Sequence, residues 1–121
     1  MKDFQEIFEA YGADYHTTMK RFLGNKAMYL RVLALLPQDK SLENLGKCLE
    51  DGNLHSAFEA AHTLKGVSGN LGLTPLYEAT CAIVEPLRKQ DPDCDYQAKY
   101  QTIRLEFERA EELLKYLKEG E

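Results

Sequence analysis

Four residues between positions 62 and 69 have types and spacings suited to chemistry at a protein surface. Lys65 follows His62 by three residues, and Gly66 and Gly69 lie just beyond it. On a helix, residues three and four apart are surface neighbours, so Lys65 and Gly66 would adjoin His62. A nearby lysine favours the neutral imidazole, which is nucleophilic, and it can pair with an anionic group placed on the ring nitrogen. The spacing therefore indicates a histidine that reacts with an anionic group.

The two glycines indicate that this histidine is accessible. A glycine inside a helix costs about 0.5–1 kcal/mol relative to alanine, so helix stability does not explain Gly66 and Gly69. At about 100° per residue, Gly66 would lie roughly 40° from His62 around the axis, and Gly69 roughly 20° on the other side. The apolar stripe runs through Ala61 and Leu64, which turns His62 toward solvent. We expect an exposed imidazole beside bare backbone, within reach of another protein.

The helix that must carry His62 is predicted by its periodicity. Its apolar and small positions recur at Leu54, Ala57, Ala61, Leu64, Ser68 and Leu71. Asn53 is the expected N-cap, and Gly72 is expected to end the helix in a left-handed conformation. Both Gly66 and Gly69 are then predicted to lie inside the helix, away from its ends.

The next helix has a proline near each end. We expect Thr74 as its N-cap and Pro75 as its first helical residue, where the missing N–H costs nothing. The apolar stripe continues to Leu87. Pro86 interrupts it and is expected to kink the helix or to end its regular hydrogen bonding near residues 84–85.

Helical periodicity also describes the rest of the chain. Helices are expected over 25–36 with Asn25 as N-cap, over 42–49 beyond Pro37, and over 96–117 with Asp93 or Asp95 as cap; shorter pieces are expected near 3–11 and 14–23. Short connections between amphipathic helices imply antiparallel neighbours. The predicted fold is all-α, an antiparallel up-down four-helix bundle with short extra N-terminal helices. It forms one domain over 1–121, with the core bundle at roughly 25–118.

Composition excludes several classes of function. The 121 residues are 44% hydrophobic and 29% charged, with a formal net charge of −5. The acidic excess argues against nucleic acid and anionic membranes as partners, and no apolar run approaches the length of a membrane span. Three cysteines without C-x-x-C spacing fit free thiols in a reducing compartment, and the N-terminus is unlike a signal peptide. We expect a cytoplasmic protein, monomeric because the pattern leaves no large apolar face unused.

The run His62-Thr63-Leu64-Lys65-Gly66, followed by small residues and Asn70-Leu71-Gly72, resembles the signature of the histidine-containing phosphotransfer (HPt) domain family. Helix order and length resemble the family over nearly the whole chain. The resemblance implies a four-helix bundle whose exposed histidine accepts a phosphoryl group from an aspartyl phosphate and donates it to another aspartate. It implies that His62 is phosphorylated, that Lys65 steadies the phosphoryl charge and that Gly66 permits close docking.

The resemblance also implies the partners, which are receiver domains of response regulators and hybrid histidine kinases. The receiver would supply the aspartate and Mg²⁺, so the chain needs no cofactor or metal of its own. No nucleotide-binding motif is present, which indicates a phosphoryl carrier without an ATP site rather than a true enzyme.

Four further residues are predicted to border the docking surface. Phe58 and Glu59 precede His62 by four and three residues, His55 precedes it by seven, and Gly69 follows it by seven. These spacings place all four on nearly the same side of the helix as His62. For Gly69 close helix packing is an alternative explanation, and for His55 it is simple solvation.

Two other functions compete with phosphotransfer. The chain could be a helical scaffold or adaptor that binds signalling partners through its bundle face without being phosphorylated, although a scaffold has no evident use for His62, Lys65 and Gly66. Glu59 and His62 also form the Glu-x-x-His element of di-iron bundles. That site needs a second copy of the element, which the sequence lacks.

Overall fold

The computed structural model describes residues 3–119, so positions 1–2 and 120–121 of the expected domain lie outside it. Within the described range the chain is helical and contains no strand. Seven α-helices and one 3₁₀ turn follow one another as α1 (Phe4–Tyr11), α2 (Tyr15–Arg21), α3 (Lys26–Leu33), the 3₁₀ turn (Leu36–Gln38), α4 (Ser41–Glu50), α5 (Leu54–Asn70), α6 (Thr74–Arg88) and α7 (Tyr96–Glu119). The all-α prediction is confirmed.

Most of these helices begin at a polar side chain that accepts an otherwise unpaired backbone N–H. The carboxylates or side-chain amides that do so belong to Asp3, Asp14, Asn25, Asn53 and Asp95. The caps predicted at Asn25 and Asn53 are confirmed. Of the two candidates before α7, it is Asp95 that accepts, from the backbone N–H of Ala98 at 3.0 Å.

The start of α6 differs from the sequence prediction. Leu73, not Thr74, is the N-cap, and its carbonyl accepts the N–H of Tyr77 at 2.8 Å. The hydroxyl of Thr74 contacts the carbonyl of Gly72 at 3.5 Å instead of a helix N–H. Thr74 is therefore the first helical residue.

The end of α6 also differs. The helix does not stop near residues 84–85 but continues through Pro86 to Arg88. Pro86 lies in the last turn, where its missing N–H removes one hydrogen bond close to the helix end. Its carbonyl accepts from the N–H of Asp91 at 2.9 Å and from the hydroxyl of Tyr96 at 3.1 Å, which closes the connection to α7.

The core lies between α5 and its neighbours. Helix α5 packs between α4 and α6, and α7 contacts α6, α4, α3 and α1. The side of α5 that faces them is buried at Ala57, Ala61, Leu64 and Ser68. This packing leaves one side of α5 free, and that side carries His62.

Helix α3 and the turn after it leave apolar surface exposed. Met28, Val32 and Leu35 are 36%, 37% and 59% exposed, at helical spacing. The expectation that no apolar face is left over is therefore not met on α3. None of the helices over residues 3–119 is long and apolar enough to cross a membrane.

Candidate functional site

The phosphoacceptor candidate lies in the middle of α5, a helix with defined ends. The Asn53 side chain accepts the N–H of Ser56 at 3.0 Å at one end. At the other end Gly72 adopts a left-handed φ of 67°, as predicted. The helix ends at Asn70, so Gly69 lies in its last turn and not in its interior as predicted. Ser68 is buried and donates to the carbonyl of Leu64 at 2.8 Å, which is a structural role.

His62 is exposed, as its position relative to the apolar stripe predicts. Its imidazole lies beside the Phe58 ring, with centroids 5.7 Å apart and ring planes inclined at 32°. The Arg88 guanidinium lies over the Phe58 ring at 5.3 Å and also pairs with Glu85 at 3.2 Å. Phe58 therefore connects the His62 imidazole with the C-terminal end of α6.

Lys65 and Gly66 border the same surface. Lys65 is half-buried and Gly66 is exposed. A Cβ placed on Gly66 would find no atom within 4 Å, so the space beside His62 is open. A Cβ on Gly69 would lie 3.1 Å from the Tyr77 ring, so this glycine permits close packing of α5 against α6. The docking roles assigned to Gly66 and Gly69 stay predictions.

The two remaining predicted surface residues pair with each other. Nε2 of His55 lies 3.4 Å from Oε1 of Glu59, and both side chains are exposed. This pair occupies the turn of α5 that precedes His62. An exposed pair at this spacing contributes little to stability, which leaves both groups free for contacts with another molecule.

A groove of about 610 Å³ opens beside His62. Its lining includes the predicted residues His62, Lys65, Gly66 and Gly69 on α5, and Tyr77 on α6. Sequence reasoning missed its other wall, which α2 and the residue before it supply through Asp14, Thr17, Thr18 and Arg21. No spacing rule relates α2 to α5, because only the tertiary fold brings these segments together.

The groove carries charges of both signs. Asp14 supplies negative charge, and hydrogen bonds from the Thr17 backbone N–H and hydroxyl lower the pKa of its carboxyl. Arg21 and Lys65 supply positive charge in the same groove. Hydrogen bonding to the Cys81 thiol raises the pKa of the Tyr77 phenol above its ordinary value.

A second groove, of about 460 Å³, runs between α4 and α5 on the other side of the acceptor residue. Glu59 and Thr63 line it from α5, and Lys47 of α4 and Asp51, the residue after α4, line it on the other side. His62 therefore lies at the edge of the first groove, with the second groove on the neighbouring side of α5, and a protein surface can contact both.

Comparison with known proteins found no match among curated proteins or solved structures. A family model, the Hpt domain, matches residues 27–118, which include α4 to α6 and nearly all of α3 and α7. Because this match spans most of the sequence and includes His62, Lys65 and Gly66, the chain belongs to the Hpt domain family, whose members act in histidine phosphotransfer in phosphorelays.

Proposed function

We propose that this chain accepts a phosphoryl group on His62 from the aspartyl phosphate of one receiver domain and passes it to the aspartate of another. The observation that carries this proposal is the exposed His62 imidazole, which shares a groove with Lys65 and stands beside the open space at Gly66. Hpt domains in general interact with receiver domains, which supports the choice of partner.

In the proposed reaction the unprotonated imidazole nitrogen attacks phosphorus and forms a P–N bond. The P–O bond to the donor breaks, the aspartate leaves as a carboxylate, and the proton on the other ring nitrogen passes to solvent. Phosphoryl transfer depends mostly on in-line positioning and charge stabilisation, so few groups are needed from this chain. Lys65 would pair with the phosphoryl oxygens, and the receiver would supply Mg²⁺.

The remaining parts of the proposal concern the form and location of the protein. We take α3 to α7, at roughly residues 25–118, as the antiparallel up-down four-helix bundle, in which α4 continues α3 beyond Pro37, and α1 and α2 as the short extra N-terminal helices. Cys48, Cys81 and Cys94 are free thiols, which fits a reducing compartment and supports a cytoplasmic location. A monomer suffices, because every group required of the chain lies on one copy.

The test is the intact mass of the protein after incubation with a phosphorylated receiver domain. Wild-type protein should gain one phosphoryl group in an acid-labile, alkali-stable linkage, as expected for a phosphoramidate. His62→Gln should gain none and should keep the wild-type melting temperature, because the side chain is exposed. His55→Gln is the matched control, since it removes an exposed imidazole two turns earlier on the same helix and should still be phosphorylated.

Two results would contradict the proposal. Labelling of His62→Gln would place the acceptor elsewhere. A folded wild-type protein that gains nothing from several receivers would instead support the helical scaffold or adaptor.

A further inference from the structure

Helix α2 is anchored to the C-terminal end of the acceptor helix. Nη1 of Arg21 donates to the carbonyl of Gly69 at 2.6 Å and lies 3.5 Å from the carbonyl of Asn70. These carbonyls belong to the last turn of α5, where the helix dipole attracts positive charge, and the carbonyl of Gly69 also accepts the backbone N–H of Gly72 at 3.2 Å. Thr18 is buried directly against Gly72, in the turn after α5.

Arg21 both binds the end of α5 and lines the groove. The contacts to Gly69 and Asn70 use Nη1, and among the described residues no side chain forms an ion pair with Arg21. The residue is exposed and lines the groove that contains His62 and Lys65. Its charge is therefore held at the groove that His62 lines and is not ion-paired, although the Asp14 carboxylate lines the same groove.

The segment that carries Arg21 lies outside the part of the chain that the family model matches. That match begins at residue 27, whereas α2 ends at Arg21. The groove thus has one wall inside the matched segment, on α5 and α6, and one wall before it, on α2.

We propose that α2, through Arg21, is a docking determinant that recognises the acidic face of the receiver domain; this inference rests on the proposed function. A receiver that binds Mg²⁺ beside its aspartate needs carboxylate oxygens to hold the ion, so the surface that meets His62 is acidic. Arg21 and Lys65 present positive charge to that surface on a chain whose net charge is −5. Charge complementarity of this kind sets association rate and partner choice.

The experiment measures phosphoryl transfer from a phosphorylated receiver domain to wild type, Arg21→Gln and Lys20→Gln. Both variants remove one positive charge from an exposed position of α2, but Lys20 does not line the groove. Arg21→Gln should raise the KM for the receiver by about threefold to tenfold, as expected for a charge at an interface rim, and the difference should shrink as salt is added. Lys20→Gln should keep the wild-type KM.

Arg21→Gln also removes the contacts that hold α2 to the end of α5, so a second variant is needed that leaves those contacts in place. Thr17→Lys adds a positive charge to the same wall while Arg21 keeps its contacts to α5. It should lower the KM for the receiver. An unchanged KM in both Thr17→Lys and Arg21→Gln would overturn the proposal.

A small-molecule phosphoryl donor distinguishes failure of this inference from failure of the proposed function. Phosphoramidate can phosphorylate an imidazole without docking. An equal fall in the rate of Arg21→Gln with phosphoramidate and with the receiver would overturn the docking role, because Arg21 would then act on the phosphoryl group or on the imidazole. Wild-type protein that takes a phosphoryl group from neither donor would overturn the proposed function itself.

Discussion

Gly66 and Gly69 are three residues apart on the same helix and serve different purposes. The position of a Cβ on Gly66 is empty to 4 Å, whereas a Cβ on Gly69 would lie 3.1 Å from the Tyr77 ring. Gly69 is therefore accounted for by packing inside the molecule. Nothing in the described structure requires glycine at position 66, and the predicted docking role would account for its cost to the helix.

Substitution of Gly66 should separate stability from function. We expect Gly66→Leu to raise the free energy of unfolding by about 0.5–1 kcal/mol, because the helix gains propensity and the side chain enters open space. The same change should slow transfer from a receiver domain, because the side chain occupies the surface beside His62. Urea denaturation and the transfer rate are the two measurements.

Gly69→Ala provides the comparison for that prediction. It should gain less stability than a change at position 66, because Tyr77 must move to make room. Faster or unchanged transfer in Gly66→Leu would show that the open space has no role in docking.

At the residue scale, the sequence predicted the exposure of His62 but not the residues that surround it. The exposure of His62 and the placement of Lys65 and Gly66 on one surface depend only on helical spacing, which is local. Arg21 contacts Gly69 from 48 residues away in the chain. Such a contact depends on how α2 packs against α5, and a single sequence does not contain that information.

At the element scale, the turn between α5 and α6 is the point where the N-terminal helices meet the bundle. Gly72 ends α5 with a φ of 67°, and Thr18 of α2 packs against it. The hydroxyl of Tyr29 on α3 donates to the carbonyl of Leu71 at 2.6 Å in the buried interior. Three N-terminal contacts, from Thr18, Arg21 and Tyr29, thus hold the end of the acceptor helix.

Two glycine substitutions can show whether that turn is crowded as well as left-handed. Gly52 has a φ of 71° and open space around its Cβ position, whereas a Cβ on Gly72 would fall on the Thr18 side chain. Gly52→Ala should cost about 1 kcal/mol of unfolding free energy, the strain of the left-handed conformation alone. Gly72→Ala should cost at least about 1 kcal/mol more, because it also displaces Thr18. Equal melting temperatures for the two variants would show that α2 does not pack tightly here.

Helix boundaries could be predicted where a side chain caps the helix, and less well where only backbone hydrogen bonds set the first or last residue. Asn25 and Asn53 were identified because a side-chain amide before an apolar stripe is a strong N-cap signal. Threonine is also favoured at N-caps, but the hydroxyl of Thr74 contacts the carbonyl of Gly72, and the N-cap is Leu73. Pro86 lies so near the helix end that it does not stop α6 earlier.

At the scale of the whole molecule, buried tyrosines make stability depend on alkaline pH. Burial raises the pKa of Tyr11 from its ordinary value of 10.0 to about 12. Burial, and to a smaller extent the neighbouring Tyr11, also raises the pKa of Tyr29. The unfolded chain therefore releases these protons at lower pH than the folded protein does. The stabilising effect of Tyr11 is complete below pH 10 and is lost as the pH rises from there through 12. The effect of Tyr29 is likewise complete below pH 10 and is lost at higher pH.

This dependence can be measured as the unfolding free energy between pH 8 and pH 12. Wild-type stability should fall steeply above pH 10, the ordinary value for tyrosine. Tyr29→Phe should lower stability at neutral pH by about 1–3 kcal/mol, because the buried carbonyl of Leu71 loses its donor, and should flatten the alkaline decline. Tyr116→Phe is the control, since this tyrosine is 53% exposed. A Tyr29→Phe protein with the wild-type alkaline slope would contradict the assignment.

The small residues on the inner side of α5 have a consequence for how a phosphorelay signal is stored. Ala57, Ala61 and Ser68 bring the helix close to its neighbours, and these positions are fully buried. Interiors packed this tightly do not deform gradually, and a group added to His62 lies on the opposite side of the helix. Phosphorylation would therefore be carried by the P–N bond on His62, without a change in the conformation of the bundle. Amide chemical shifts on phosphorylation should change only around His62 and its two grooves, so that donor and recipient receivers meet the same surface.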